Sequence, residues 1–199
     1  MGFLGLSFPE EYGGGGFGEL GYCIMQEEMT RACNSTAVFI GAHQSIGTNA
    51  IYLGGSEEIK RKYLPQLTSG EKIAAFTLTE PGAGSDTFNL TTKAELVGDK
   101  WILNGNKVWI TNAGIANVFS VFARTDKGIS AFVVDADSPG IIIGVKEKKL
   151  GIRGSVTNTV TFENVEVSRE NLLGQDGKGF LIAMKTLDAG RIGLGAGCL

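Results

Sequence analysis

Two short stretches hold the side chains from which chemistry could be built. The first, Phe76 to Asp86 (FTLTEPGAGSD), leads from an apolar, β-branched segment into a Pro-Gly turn, further glycine and a Ser-Asp pair. Alternate side chains of a strand share a face, so Thr77 and Thr79 are expected on one side and Phe76 and Leu78 on the other. That would set two hydroxyls in a row at the mouth of a glycine-rich loop. Gly82 and Gly84 open backbone angles closed to other residues, and the successive N–H groups of Gly84, Ser85 and Asp86 could then converge on an anion. A type II turn at Pro81-Gly82, with Ser85 and Asp86 capping the next segment, accounts for the same residues without a ligand. The second stretch, Lys107 to Asn112 (KVWITN), alternates again and puts Trp109 and Thr111 on one face. An indole and a hydroxyl two residues apart suit the covering of a ring and a hydrogen bond to its edge. A flat ring carrying a phosphate is the ligand that both stretches together would fit.

The other reactive residue types read as structural. His43, the only histidine, has Gly41-Ala42 and Gln44-Ser45 as flanks, which offer no carboxylate or nucleophile to orient it. Cys23, Cys33 and Cys198 are odd in number and lack a CxxC spacing, so neither a disulfide framework nor a metal site is expected. Reduced thiols fit a cytosol-like compartment, or the mitochondrial matrix in a eukaryote. Gly13 to Gly16 reads as a mobile turn, since no Lys-Ser/Thr comes after it to make a phosphate loop. A formal net charge of −3 gives no electrostatic footprint for nucleic acid or an anionic membrane. Lys146, Lys148 and Lys149 are interrupted by Glu147 and read as a solvated face. No apolar run approaches the roughly 20 residues that span a bilayer, no basic segment precedes an apolar one at the start, and Leu6 argues against myristoylation.

The elements that must position the two stretches can be read from periodicity. Leu20, Ile24, Met25 and Met29 recur at helical spacing and predict a helix over 19–32 with those residues buried. A second helix is expected from Ser35 or Thr36 to Tyr52, and a third begins at the cap Ser56, with Glu57 and Glu58 in its first turn. From residue 73 to 167 the pattern changes to short alternating runs. Strands are predicted over 73–79, 91–97, 101–103, 107–111, 118–124, 130–135, 141–146 and 157–162, with turns at Gly98-Asp99, Asn104-Gly105, Asp126 to Gly128 and Pro139-Gly140. These form an antiparallel, barrel-like meander. Phe180, Met184 and Leu187 then mark a final helix. Gly190, Gly193, Gly195 and Gly197 within it predict a backbone packed closely alongside. The fold class is α+β: an N-terminal helical part (1–72), a middle β domain (73–173) and the start of a C-terminal helical bundle (174–199).

The signature Phe76 to Asp86, followed by Asn104 to Asn112 (NGNKVWITN), resembles the flavin-binding segments of the acyl-CoA dehydrogenases. The likeness extends through Pro9 to Gly14, Glu147 to Arg153, Phe162 to Val165 and Leu187 to Arg191, in order and over nearly the whole chain. The resemblance implies FAD as cofactor, bound by Phe76, Leu78, Thr79, Gly84, Ser85, Trp109, Ile110 and Thr111. It further implies an acyl-CoA substrate met by Ser85, Asp188 and Arg191, although Asp188 and Arg191 could equally be an intrahelical ion pair. The implied reaction is α,β-dehydrogenation to a trans-2-enoyl-CoA, with a carboxylate taking the α-proton, flavin taking the β-hydride and electrons passing to electron-transferring flavoprotein. A homotetramer is the assembly the family suggests.

Some members of the family place the catalytic glutamate beside the arginine equivalent to Arg191, and Gly190 stands there in this sequence. Most carry it far down a C-terminal helical domain. No catalytic residue is therefore expected within these residues, and the chain is expected to be a fragment, inactive alone. Thr77 and Asn89 depart from the usual signature without removing a flavin contact. On the same scaffold the competing readings are a flavin-dependent monooxygenase, an acyl-CoA oxidase, or a non-catalytic flavin or acyl-CoA binding protein.

Overall fold

The computed structural model describes residues 2–199. Helix α1 (Gly18–Gly41) is kinked at Cys33, whose φ of −159° and ψ of 104° are extended. It therefore comprises two helices, as the periodicity suggests. A seven-residue π-helix (Ala42–Thr48) continues it without a break into α2 (Asn49–Gly54). Helix α3 (Glu57–Ser69) begins at Ser56, whose hydroxyl accepts the Ile59 amide at 3.3 Å.

The expected buried face of the first helix is half right: Met25 is buried and Met29 packs against the same cluster. Leu20 and Ile24 are exposed, whereas Tyr22, Met25 and Gln26 are buried. Gln26 can go inside because its amide donates to the Tyr22 hydroxyl (2.8 Å) and to the Ala37 carbonyl (3.2 Å). The glycine run before this helix is also pinned rather than loose. Gly15 N–H donates to the Gly5 carbonyl and Gly16 N–H to the Phe8 carbonyl, and a Cβ on Gly14 would overlap the Phe8 backbone.

Eight strands come next: β1 (Ala74–Thr77), β2 (Lys93–Val97), β3 (Lys100–Thr111), β4 (Val118–Thr125), β5 (Gly128–Asp135), β6 (Ile141–Lys146), β7 (Thr157–Ser168) and β8 (Leu172–Leu173). They form one sheet in the order β6-β7-β3-β2-β4-β5-β8, and β1 pairs with β4. The order departs from a meander, since β3 pairs with β7 and β2 meets β4 in parallel at Lys93 and Arg124, and two further features differ from the expectation. First, β1 runs parallel to β4, Ala74 opposite Val118. Second, Asn104-Gly105 is no turn. It lies inside a continuous β3, and the register shift between Leu103 and Gly105 arises from β7, where Glu163 and Asn164 stand opposite Asn104 alone as a bulge.

The strands β4 and β5 are buried on both faces, so their side chains are apolar in nearly continuous runs. Val118, Phe122, Ile129 and Val133 pack with Ile51, Tyr63, Leu64 and Leu67 of the helices. Phe119, Val121 and Phe132 pack on the other side with Trp101, Leu103, Val160 and Phe162 from β3 and β7. The sheet thus folds over on itself. Helix α4 (Gly179–Ala196) closes the helical side. The close backbone expected beside Gly190, Gly193 and Gly195 is not there: the Tyr22 ring occupies the space a Cβ on Gly193 would need, the Ile46 side chain lies against Gly190, and nothing stands within 4 Å of Gly195.

His43 joins the layers. The Ala74 amide donates to its Nδ1 (2.9 Å), so the ring proton sits on Nε2 and is donated to the Leu67 carbonyl (3.0 Å). Burial pulls its pKa from 6.5 down to about 4. A neutral buried imidazole that would charge when unfolded makes stability fall as pH drops from 6.5 to 4. The loss expected is about 3 kcal/mol at 1.36 kcal/mol per unit. Urea midpoints at pH 7 and pH 4.5 check this, and equal midpoints would refute it.

Candidate active site

A cleft of about 380 Å³ opens where β1, the loop after it, the end of β3 and α4 meet. Its walls include Phe76, Leu78 and Thr79 from the first stretch, Gly84 and Ser85 from the loop, and Trp109, Ile110 and Thr111 from the second. All eight candidate cofactor residues thus border one space. The reason lies in local backbone. Trp109 adopts a left-handed φ of 57°, and the β3–β7 register shifts between Lys107 and Ile110. The bulge brings three consecutive residues to the cleft, although the Ile110 side chain packs in the core with Phe119 and Val160. Asn112, also left-handed (φ 68°), ends β3, and its amide donates to the Phe39 carbonyl at 2.9 Å.

The expected pairing of Thr77 with Thr79 is not observed. The strand ends at Thr77, whose buried hydroxyl donates to the Ser120 carbonyl (2.9 Å), while Thr79 alone reaches the cleft. Beyond it, the amides of Gly84, Ser85 and Asp86 enter no hydrogen bond within the described residues, and a Cβ on Gly84 would meet open space. Those donors face no protein acceptor.

Beneath the loop lies an ion pair that the spacing did not suggest. Lys107 is fully buried and Glu80 is 2% exposed. Lys107 Nζ donates to Glu80 Oε1 (2.8 Å), to the Leu78 carbonyl (3.2 Å) and to the Phe122 carbonyl (2.6 Å). Glu80 also accepts from the Thr91 amide (2.6 Å), the Thr91 hydroxyl (2.7 Å) and the Thr92 amide (3.0 Å). Burial alone would raise the Glu80 carboxyl, but the Lys107 charge and these hydrogen bonds hold it at about 2. Burial lowers Lys107 to about 8 against the pull of Glu80, so both are charged at neutral pH. The Val108 amide donates to the Thr79 carbonyl (3.0 Å) one residue along. Together these bonds rivet the two chemical stretches to each other.

The fourth wall comes from α4: Phe180, Met184 and Leu187, with Ile46 of the π-helix and Phe88 edge-on to Phe180 (5.6 Å, 87°). The stripe at 180, 184 and 187 is visible as periodicity, yet nothing in it distinguishes a cleft wall from a core face. Of the two acidic and basic candidates on α4, Arg191 borders the cleft and Asp188 does not. They are 3.2 Å apart as an exposed i,i+3 pair, an interaction of little net stability.

A second space, about 360 Å³ and largely apolar, shares Ile46, Thr111, Leu187 and Arg191 with the first. It lies between α1, the π-helix and α4 and is bordered by Tyr22, Gln26 and Thr30 on one side and by Gly190, Leu194 and Cys198 on the other. Gly190 faces it without a side chain. Among the described residues, the only carboxylate bordering either space is that of Asp86, which is bonded to the Asn89 amide group at the exposed rim.

An α+β protein with a ring-sized cleft, unbonded loop amides and an adjoining apolar pocket has the features of a scaffold for a flat cofactor. Residues 1–71 match the family described as acyl-CoA dehydrogenase, N-terminal domain, and residues 75–165 match acyl-CoA dehydrogenase, middle domain. The chain belongs to the acyl-CoA dehydrogenase family. It is 48% identical over its whole length to a short-chain specific acyl-CoA dehydrogenase of Clostridium acetobutylicum, covering 54% of that protein. Among solved structures, an acyl-CoA dehydrogenase from Bacillus anthracis complexed with FAD superposes with a TM-score of 0.94 at 46% identity, over 98% of this chain and 34% of that one. Butyryl-CoA dehydrogenase from Megasphaera elsdenii superposes with a TM-score of 0.95 at 42% identity, over 98% and 54%. The chain spans about half the length of the curated relatives it matches.

Proposed function

We propose that these residues form the flavin- and acyl-binding half of an FAD-dependent short-chain acyl-CoA dehydrogenase, divided into helical (1–72), β (73–173) and C-terminal helical (174–199) parts. The observation that carries the reading is the meeting of two sequence-distant stretches around one cleft that opens into an apolar pocket. The cleft suits FAD on its own features. Phe76, Leu78 and Ile110 are apolar walls, the Trp109 indole is 66% exposed and free to cover a ring, and the unbonded amides at 84–86 can receive a phosphate. Bound FAD would supply the acceptor for the hydride that leaves the β-carbon.

The chain's own residues do the rest. Thr79 and Thr111 present hydroxyls to the cofactor's edge, Ser85 lies where the phosphate and the pantetheine arm pass, and Arg191, steadied by Asp188, meets the nucleotide end of CoA. The acyl chain enters the apolar pocket past Ile46 and Leu187 and is shielded there from water. The α-proton needs a carboxylate base, and Gly190 cannot provide one, so these residues alone perform no dehydrogenation. The base belongs to the complete enzyme, a homotetramer that passes its electrons to a separate partner, electron-transferring flavoprotein.

The test is an anaerobic visible spectrum of protein made from the complete reading frame, before and after adding butyryl-CoA or octanoyl-CoA. Bleaching of a flavin band by butyryl-CoA is expected. A protein without a flavin band refutes the reading. A flavin that no acyl-CoA bleaches moves it to the monooxygenase or binding-protein alternatives, and enoyl-CoA formation by residues 1–199 alone overturns the account of the base.

A further inference from the structure

Lys107 is fully buried and is no part of the cleft lining, yet its Nζ reaches the back of the cleft wall, where it donates to the Leu78 carbonyl (3.2 Å). That carbonyl belongs to the peptide between Leu78 and Thr79, two residues that border the cleft. Among the described residues no peptide bond is cis, so the Thr79 N–H points away from this carbonyl and from the ammonium behind it. Thr79 lies beyond the end of β1, and its N–H enters no hydrogen bond within the described residues. The next carbonyl, that of Thr79, is held by the Val108 amide (3.0 Å), which fixes the peptide in place. The other Lys107 bonds, to Glu80 Oε1 (2.8 Å) and the Phe122 carbonyl (2.6 Å), lie inside the protein. Glu80 keeps the lysine charged at neutral pH against the pull of burial.

We propose that Lys107 is a positioning residue that polarises the peptide between Leu78 and Thr79, making the Thr79 N–H a strengthened donor to the flavin edge and raising the cofactor's reduction potential. The proposal rests on the FAD reading above and goes beyond it by giving an electronic role to a residue that touches neither cofactor nor substrate. A hydrogen bond from a charged group is roughly twice as strong as a neutral one. An amide whose carbonyl accepts such a bond becomes a better donor at its N–H, most of all where water is excluded. Flavin gains negative charge when it takes up the hydride, so a stronger donor at its edge favours the reduced form over the oxidised one. Only that difference moves a potential, since a lysine that merely held the wall in place would support both forms alike.

The experiment measures the two-electron reduction potential at pH 7, and the dissociation constant of oxidised FAD, for protein from the complete reading frame. Lys107→Met, and the double variant that adds Glu80→Gln, are expected to lower the potential by about 15–30 mV, a three- to tenfold change in the equilibrium between oxidised and reduced flavin at about 30 mV per decade. The double variant leaves no uncompensated charge and replaces each side chain by a neutral one of similar size, so it remains informative if the single variant fails to fold. Thr91→Val takes a hydroxyl from Glu80 (2.7 Å) but leaves the lysine and its bond to Leu78. It is expected to loosen the same cluster at an unchanged potential. Weaker FAD binding with an unchanged potential in the folded double variant would make Lys107 merely structural and overturn the proposal, as would a Thr91→Val shift equal to that of the lysine variants. A wild type that binds no FAD would overturn the functional reading and this one with it.

Discussion

Replacing Lys107 by methionine is expected to destabilise the fold by about 3–5 kcal/mol, the usual consequence of removing one member of a buried ion pair. The lysine gives all three of its donors to Glu80, Leu78 and Phe122 inside the protein. Without it the two carbonyls lose a partner and Glu80 keeps a buried charge supported only by Thr91 and Thr92. Because the Leu78 carbonyl lies on one cleft wall and Lys107 two residues before Trp109 on the other, flavin retention should fall together with stability. The double replacement Lys107→Met with Glu80→Gln should be milder than the single one, since it removes the uncompensated charge. Acid should reproduce part of the loss. Glu80 titrates at about 2 in the fold against an ordinary 4.5, so its contribution is complete above pH 4.5 and disappears as pH falls toward 2. Denaturation curves and the flavin absorbance of purified variants provide the measurement. A Lys107→Met protein within about 1 kcal/mol of wild type, well below the cost of breaking a buried pair, would show that the rivet is dispensable.

Gly179→Val should be comparably severe, for a different reason. A Cβ at this position would fall within 2.7 Å of the Ser130 Cα and closer still to the following peptide, which is backbone of β5 and cannot rotate away. Overpacking of this kind costs about 1–3 kcal/mol and more where nothing yields. The site is tied down on both sides. Asp176 accepts from the hydroxyls of Thr125 (2.6 Å) and Ser130 (2.8 Å), and the Gly177 amide donates to Ser130 Oγ (2.7 Å). Only α4 itself can lift, and it carries Phe180, Met184 and Leu187 out of the cleft wall. Flavin binding should therefore weaken by roughly tenfold or more, equivalent to about 1.4 kcal/mol. Gly195→Ala on the same helix has open space around it and should instead stabilise by about 1 kcal/mol through helix propensity. Chemical denaturation of the two variants side by side separates these cases. Equal, small effects would show that the α4 contact with β5 is not tight.

Local patterns in the chain were sufficient for several elements. The unbroken apolar runs of 118–124 and 130–135, the cap at Ser56 and the change of period near residue 73 each reflect interactions among neighbours, and each element stands where it was expected. The cleft was legible too, because the eight candidate residues that border it fall in two compact stretches. What sequence could not show depends on partners that arrive from far along the chain. Lys107 in a strand reads as solvent-facing until Glu80, 27 residues earlier, reaches it. Gln26 reads as polar surface until the Tyr22 hydroxyl and the Ala37 carbonyl satisfy it, whereas Leu20 and Ile24 of the same helix are exposed. Asn104-Gly105 reads as a turn until β7 pairs across it, bulging at Glu163 and Asn164 to do so. Burial of a polar group is decided by whether distant donors and acceptors converge on it. Sequence by itself therefore determined most of the elements and the two stretches that border the cleft, while tertiary structure alone decided the buried ion pair, the cleft wall on α4 and the burial of Gln26.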